Sequence, residues 1–424
     1  MIQSLEPLDS LSVEEPEFLQ EFRKEAKIQF DLTGIPNTHF EDWKYTPVSK
    51  YIPESLKGND TDSDIPILDF PPENIPFNDI DTYKIYLLNG KLIPIWSDNL
   101  LTPEFELVSI QNAFQLKEFR QFFNSINNKA DPFSYLNTSA FDRGIFLKIK
   151  SGIKVSKPIH LIHLFSGNNH SIIHSRNLIL IENLSEVCVL ETFFEDNTVK
   201  ANYFQNNLSE IVLEKGSKME HIRYQTIGNY GAIINTDLVS SQKHSNYRSH
   251  TYSLSGKFIR NNLKINLNEP ETETHLYGFY SINDLEFMDN HTLVRHLKPH
   301  CRSNELYKGV LKGKSIGVFN GRVEVSKDAQ KTNAYQQNQT ILLGKDSTMN
   351  SKPELEIFAD DVKCSHGSTM GQLDKSALFY LQSRGISENT AQKIMINAFA
   401  ETLLSEIDHS GIRKEIGIHI QELE

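Results

Sequence analysis

Cys364 and His366 stand two residues apart in the stretch Phe358-Ala-Asp-Asp-Val-Lys-Cys-Ser-His-Gly-Ser-Thr-Met-Gly-Gln372. In an extended backbone, side chains at i and i+2 leave the same face, so the thiol and the imidazole can address one metal or ligand. Thiolate and imidazole are soft-to-intermediate donors that suit iron, sulfur-bearing clusters or zinc. Two donors leave coordination positions open, which fits a labile ion completed by a partner's residues and not a permanent metal. A buried Cys beside a satisfied His is the competing reading of the same pair.

Other chemistry-bearing patterns are weaker. His291, His296, His300 and Cys301 have ligand types suited to zinc or iron, but their spacing matches no standard finger and no second cysteine pair completes four ligands. Ordinary strand and loop histidines explain them better, and His300 with Cys301 is kept as a secondary metal candidate. Gly309-Val-Leu-Lys-Gly313-Lys314-Ser315 resembles a phosphate-binding loop with one residue too few between its glycines. A β-turn is expected there, so ATP hydrolysis is not expected of this chain. Asp360 and Asp361 are adjacent, which in a strand sends them to opposite faces; turn capping accounts for them better than paired acid/base work.

Three kinds of element must position these residues. A first helix is signalled by Ser12 and Glu15 at capping-box spacing, by Phe18, Leu19, Phe22 and Ala26, and by Gly34 and Pro36 as stops. From Pro53 to Tyr83 the chain is acidic and proline-punctuated, and reads as a linker or loosely packed arm. From Ile85 onward, short apolar runs such as Ile145–Ile149, Leu178–Ile181, Ile211–Leu213 and Thr340–Leu343 alternate with polar turns, which is strand territory. A weak repeat of three apolar residues, three turn residues and a serine ends at Ser185, Ser217 and Ser347, with a degenerate copy at Ser315. Ser185 to Ser217 and Ser315 to Ser347 are each 32 residues apart, and the 98 between the pairs is close to three times 32. Equal spacing suits a solenoid whose coils reuse one turn position.

After Gly371 helices return. Asp374 can cap one that ends at Gly385 and Ser387 the next, in which Ala391, Ile394, Met395, Ala398, Phe399 and Leu403 mark an apolar face. Such a face packs on its own domain or docks a partner. The resulting division is a helical region with an acidic linker over 1–80, a strand-rich core over 81–372 and a helical domain over 373–424.

Composition bounds the function. The chain has 424 residues, 38% hydrophobic and 23% charged, with a net charge of −12 and no basic cluster. That is ample for a packed core and argues against a nucleic-acid or anionic-membrane surface. No signal-peptide pattern or membrane-spanning apolar run is present, so a cytoplasmic location is expected. Cys188, Cys301 and Cys364 are too few and too scattered for a disulfide framework.

Several stretches carry a family resemblance: Asn304-Glu-Leu-Tyr-Lys-Gly-Val-Leu311, Val318-Phe-Asn-Gly-Arg322, Asp328–Gln336, Lys352–Gly367 and Phe379–Gly385. The sequence across them closely resembles the SufB/SufD family of iron–sulfur cluster assembly, and Glu41-Asp-Trp-Lys-Tyr-Thr46 resembles the N-terminal region of its SufD branch. Lys-Cys-Ser-His-Gly also looks like the SufD branch, where SufB proteins typically carry a Glu-His-Glu-Ala type of sequence. The resemblance implies a mainly β fold, a right-handed parallel β-helix flanked by N- and C-terminal helical domains. It implies a non-catalytic scaffold subunit that pairs with SufB and the SufC ATPase, with a homodimer possible in isolation. His366, with Cys364 beside it, would act at the SufB–SufD interface in iron acquisition and nascent cluster formation. Phe379, Tyr380, Ile394 and Phe399 would form the ATPase-docking surface. No permanent cofactor is implied; iron or a cluster would be held transiently, and reduced flavin would be a possible component of the complex.

Three other readings remain. The chain could be a SufB-like cluster scaffold. A carbohydrate-active β-helix enzyme would need carboxylates converging on one groove. A self-contained metalloenzyme would need His291, His296 or His300 folded beside Cys364.

Overall fold

The structure, a computed structural model, describes residues 15–52, 71–126, 131–167, 171–196 and 198–423. From Ile159 to Gly371 the chain alternates strand by strand between two sheets. Sheet A stacks Ile159–Phe165, Glu186–Glu195, Lys218–Thr226, Asn246–Ser255, Glu273–Ile282, Arg302–Leu311, Asn333–Leu342 and Lys363–Gly371. Sheet B stacks the strands between them, from Ser171–Ile181 to Thr348–Ile357. Each strand pairs in parallel with the strand one coil away. This is a parallel β-helix with helices before and after it, the expected fold class.

Parallel sheets are stable when both faces are covered, and different parts of the chain cover each one. Inside, Val189, Phe193, Ile233, Val239, Ile265, Leu276 and Phe319 belong to one apolar core. Down its middle runs a polar ladder: Ser175 donates to Asn207, and Asn207, Asn235, Asn261 and Asn290 continue side chain to side chain at 2.9–3.4 Å. Stacked amides satisfy one another because successive coils repeat the same position. Outside, Glu17–Thr33 and three short helices between Ile110 and Ala140 pack on sheet B through Leu19, Phe119, Phe133 and Leu136. The C-terminal helices Glu388–Leu404 and Ser410–Glu422 pack on sheet A through Ile396, Ala400, Leu403 and Ile416 against Ile222, Tyr252 and Phe279.

The repeated serine has a structural basis, but its period differs from the expected one. Ser185, Ser217, Ser315 and Ser347 each donate to the carbonyl three residues back, closing a turn. Ser245, Thr272 and Thr332 do the same and are copies that the pattern hid. Ser185 and Ser217 lie at corners leading into sheet A, whereas Ser315 and Ser347 lie at corners leading into sheet B. The 98-residue interval is therefore not a whole number of coils, and the ladder asparagines recur at 28, 26 and 29 residues. The loop at Gly309–Ser315 ends one strand and turns at Lys312–Ser315, as a β-turn should.

Other expectations shift. The first helix begins at Glu17, after Pro16; Ser12 lies outside the described residues, as do residues 53–70 of the acidic arm read from Pro53 to Tyr83. Helices interrupt the strand territory between Ile110 and Ala140. In Glu388–Leu404 the buried positions are Ala391, Ile396, Ala400, Leu403 and Leu404, so Ile394 and Ala398 turn outward. No described helix is long and apolar enough to cross a membrane.

The two ends of the solenoid differ. At the first end, Lys91–Leu92 and Phe105–Ser109 close the sheets as antiparallel edge strands. At the other, Thr348–Ile357 and Lys363–Gly371 are simply the last strands of sheets B and A.

Candidate functional site

Cys364 and His366 lie on that last strand of sheet A, and the i, i+2 geometry read from sequence is present. The strand Lys363–Gly371 pairs with Asn333–Leu342 so that Cys364 stands over Ala334, His366 over Gln336, Ser368 over Asn338 and Met370 over Thr340. All four underlying residues are buried, which identifies these positions as the interior rows of the solenoid. Among the described residues no further coil covers them. Cys364 is half-buried and His366 exposed, so both stand at the open mouth of the β-helix. Across the mouth, Ser368 and Ser351 are hydrogen-bonded at 2.8 Å, and Asn338 donates to Ser351 at 3.1 Å.

Cys364 packs against Val325, Ala329, Ala334 and Ala359. That desolvation pushes its thiol pKa up, so the free chain holds a neutral thiol and the thiolate would need a metal or partner charge to form. His366 has the more open position of the two.

Behind His366 lies a buried polar chain. Gln336 Nε2 donates to Glu305 Oε2 at 3.0 Å, and Thr292 Oγ1 donates to Glu305 Oε1 at 2.6 Å. Burial pushes the Glu305 carboxyl up to about 7, against the lowering effect of those two donors. Glu305 and Gln336 were not singled out from the sequence, although both fall in the family-like stretches. Their relation is visible only through the coil register that places residues 31 apart side by side.

The secondary metal candidate does not assemble. Cys301 is fully buried, its thiol against Thr272 and the Glu269 carbonyl, while His300 turns outward at a left-handed position (φ 63°). His300 lines a cleft of about 340 Å³ with Arg302, Lys331 and Lys363. His291 sits 2.9 Å from Asp289, and His296 2.9 Å from Ser303, each in its own environment. Among the described residues no group of three or more His, Cys, Asp or Glu side chains is arranged to hold a metal.

The C-terminal surface is uneven. Phe379, Tyr380 and Ile394 are 71%, 57% and 42% exposed, and Lys375–Ser383 buries none of its residues. Phe399 differs: Lys308 donates to its carbonyl and sits 4.6 Å over its ring, tying it to sheet A. It packs inward and does not extend the exposed surface.

A family model described as the SufBD core domain of SUF system FeS cluster assembly matches residues 163–399, and one for the SufBD protein N-terminal region matches residues 6–161. The chain belongs to the SufBD family. It is 30% identical over 392 residues to an iron–sulfur cluster assembly SufBD family protein of Synechocystis, covering 89% of this chain and 85% of that one. It is 29% identical over 394 residues to the iron–sulfur cluster assembly protein SufD of Escherichia coli, covering 91% and 88%. SufD of Bacillus subtilis is 24% identical over 295 residues, covering 68% and 72%. The SufBD core match contains the whole mouth, Glu305 and Gln336 included, and relatives named SufD agree with the branch read from Lys-Cys-Ser-His-Gly.

Proposed function

We propose that this chain is a scaffold subunit of iron–sulfur cluster assembly, joining a SufB-type subunit at the solenoid mouth and a SufC-type ATPase at its C-terminal helices. The observation that carries the reading is the placement of Cys364 and His366 on interior rows of an uncapped edge strand. An edge strand offers unpaired backbone groups to another chain, and here the same event would bring a partner's side chains to a soft sulfur donor and an imidazole. Two donors from one chain and others from its partner make a site that exists only in the complex. Iron is the cargo there: His366 would hold it as neutral imidazole, with Cys364 as thiolate, while partner thiolates bring sulfur.

The exposed Phe379, Tyr380 and Ile394 are the anchors on this chain for the ATPase. A second copy of this chain would use the same mouth in isolation, because related subunits share surfaces.

Coexpression with SufB and SufC, followed by hydrogen exchange on the purified complex, tests the arrangement. Protection gained in Thr348–Ile357 and Lys363–Gly371 supports it. A complex that forms while leaving both edge strands as exposed as in the free chain would refute it.

A further inference from the structure

Gln336 occupies the interior position one coil before His366, and its amide is held from behind. Its Nε2 donates to Glu305 Oε2 at 3.0 Å, while the other Glu305 oxygen is taken by Thr292. The Gln336 Oε1 is buried and has no hydrogen-bond partner. A buried carbonyl left so is destabilising, and His366 is the polar side chain that follows Gln336 in the row. The opposite sheet makes room for the amide: a Cβ at Gly321 would lie 1.8 Å from Gln336 Nε2, although Gly321 has no positive φ that would require glycine. Leu276 separates Glu305, Gln336 and His366 from the polar residues of earlier coils in this row.

We propose that Gln336, anchored by Glu305, is the positioning residue that fixes the tautomer and ring orientation of His366, and so selects the nitrogen that His366 offers to a metal ion. The proposal rests on the reading of His366 as a metal-facing residue. An imidazole N–H donating to a fixed carbonyl oxygen leaves the other nitrogen as the lone-pair donor, and such outer partners typically change metal affinity by about 10–100-fold. Glu305 supplies the fixed point: with both oxygens engaged, it holds the amide nitrogen and leaves Oε1 as the unpartnered atom in the row that His366 continues.

The test uses the full chain with ¹⁵N-labelled histidine at about pH 8, where an ordinary imidazole is neutral, and assigns His366 by comparison with His366→Asn. The ring ¹⁵N shifts should show one dominant tautomer in the parent and a mixture in Gln336→Met. Gly321→Ala, which displaces the amide without removing it, should give the same mixture. Asn338→Ala, in the neighbouring row, should leave the tautomer unchanged. Zn²⁺ affinity should fall about 10-fold or more in Gln336→Met. An unchanged tautomer in folded Gln336→Met or in folded Gly321→Ala would overturn the proposal. The metal reading fails separately, if the tautomer responds to Gln336 but the parent and His366→Asn bind Zn²⁺ equally.

Discussion

Arg223→Met tests how the interior of the solenoid tolerates charge. Arg223 is 3% exposed and makes four hydrogen bonds: Nε and Nη2 to Glu191 Oε2 at 3.0 and 2.6 Å, and Nη1 and Nη2 to the two Asp237 oxygens at 2.6 and 3.0 Å. Burial works to raise the Glu191 pKa, yet Arg223 and His221 more than offset it and hold the carboxyl well below its usual range. Methionine fills similar space but takes the guanidinium from two buried carboxylates, leaving Glu191 only His163 and His221, at a cost of about 3–5 kcal/mol. With an unfolding entropy of about 2.1 cal/mol/K per residue, a 424-residue chain unfolding as one unit would lose about 3–6 °C in Tm. Without the guanidinium Glu191 loses the largest influence that holds its pKa down, so burial raises its folded pKa and the folded state binds more protons. The deficit should therefore grow as pH rises from about 5 to about 8. Urea titrations at both pH values, alongside calorimetry, measure it. A deficit below about 1 kcal/mol, equal at both, would show that the cluster is not the closed buried network these distances describe.

Two further outcomes follow from the geometry. Burial pushes the Glu305 carboxyl up to about 7 in the fold against an ordinary 4.5, so the folded state retains its proton across that window and stability falls as pH rises through it. The difference corresponds to about 3 kcal/mol at 1.36 kcal/mol per unit, so Glu305→Gln should gain up to that much relative to the parent between about pH 5 and pH 8. Denaturant titrations showing the same parent–variant difference at both pH values would sink that assignment. Phe379→Ser with Tyr380→Ser should abolish copurification of the SufC ATPase while changing stability by no more than about 0.5 kcal/mol, because Lys375–Ser383 buries nothing of its own; undiminished copurification would move the docking surface elsewhere.

Much of the coil architecture is legible in local chemistry. The serine turns close one corner each, the Asp374 and Ser387 side chains cap the helices expected of them, and the two-residue spacing of Cys364 and His366 becomes one face of a strand. What is hidden depends on register. Asn207, Asn235, Asn261 and Asn290 form a ladder, but coils of 26 to 29 residues blur any single period. Likewise, Glu305 and Gln336 become neighbours only once their coils are stacked. The helix Glu388–Leu404 presents Ile396 and Ala400 to sheet A and leaves Ile394 outside, because the sheet surface, and not the apolar count, sets which face is covered. The helices between Ile110 and Ala140 lack a long apolar period: only Pro132–Ala140 reaches nine residues, and their stability comes from packing on sheet B.

The role proposed for His366 is to serve iron at a mouth shared with a partner. The most direct measurement is iron and acid-labile sulfide per complex for the parent and for His366→Ala, each coexpressed with SufB and SufC and shown to assemble to the same extent. An intact complex with strongly reduced cluster content is expected. Equal iron and sulfide in the His366→Ala complex would contradict it.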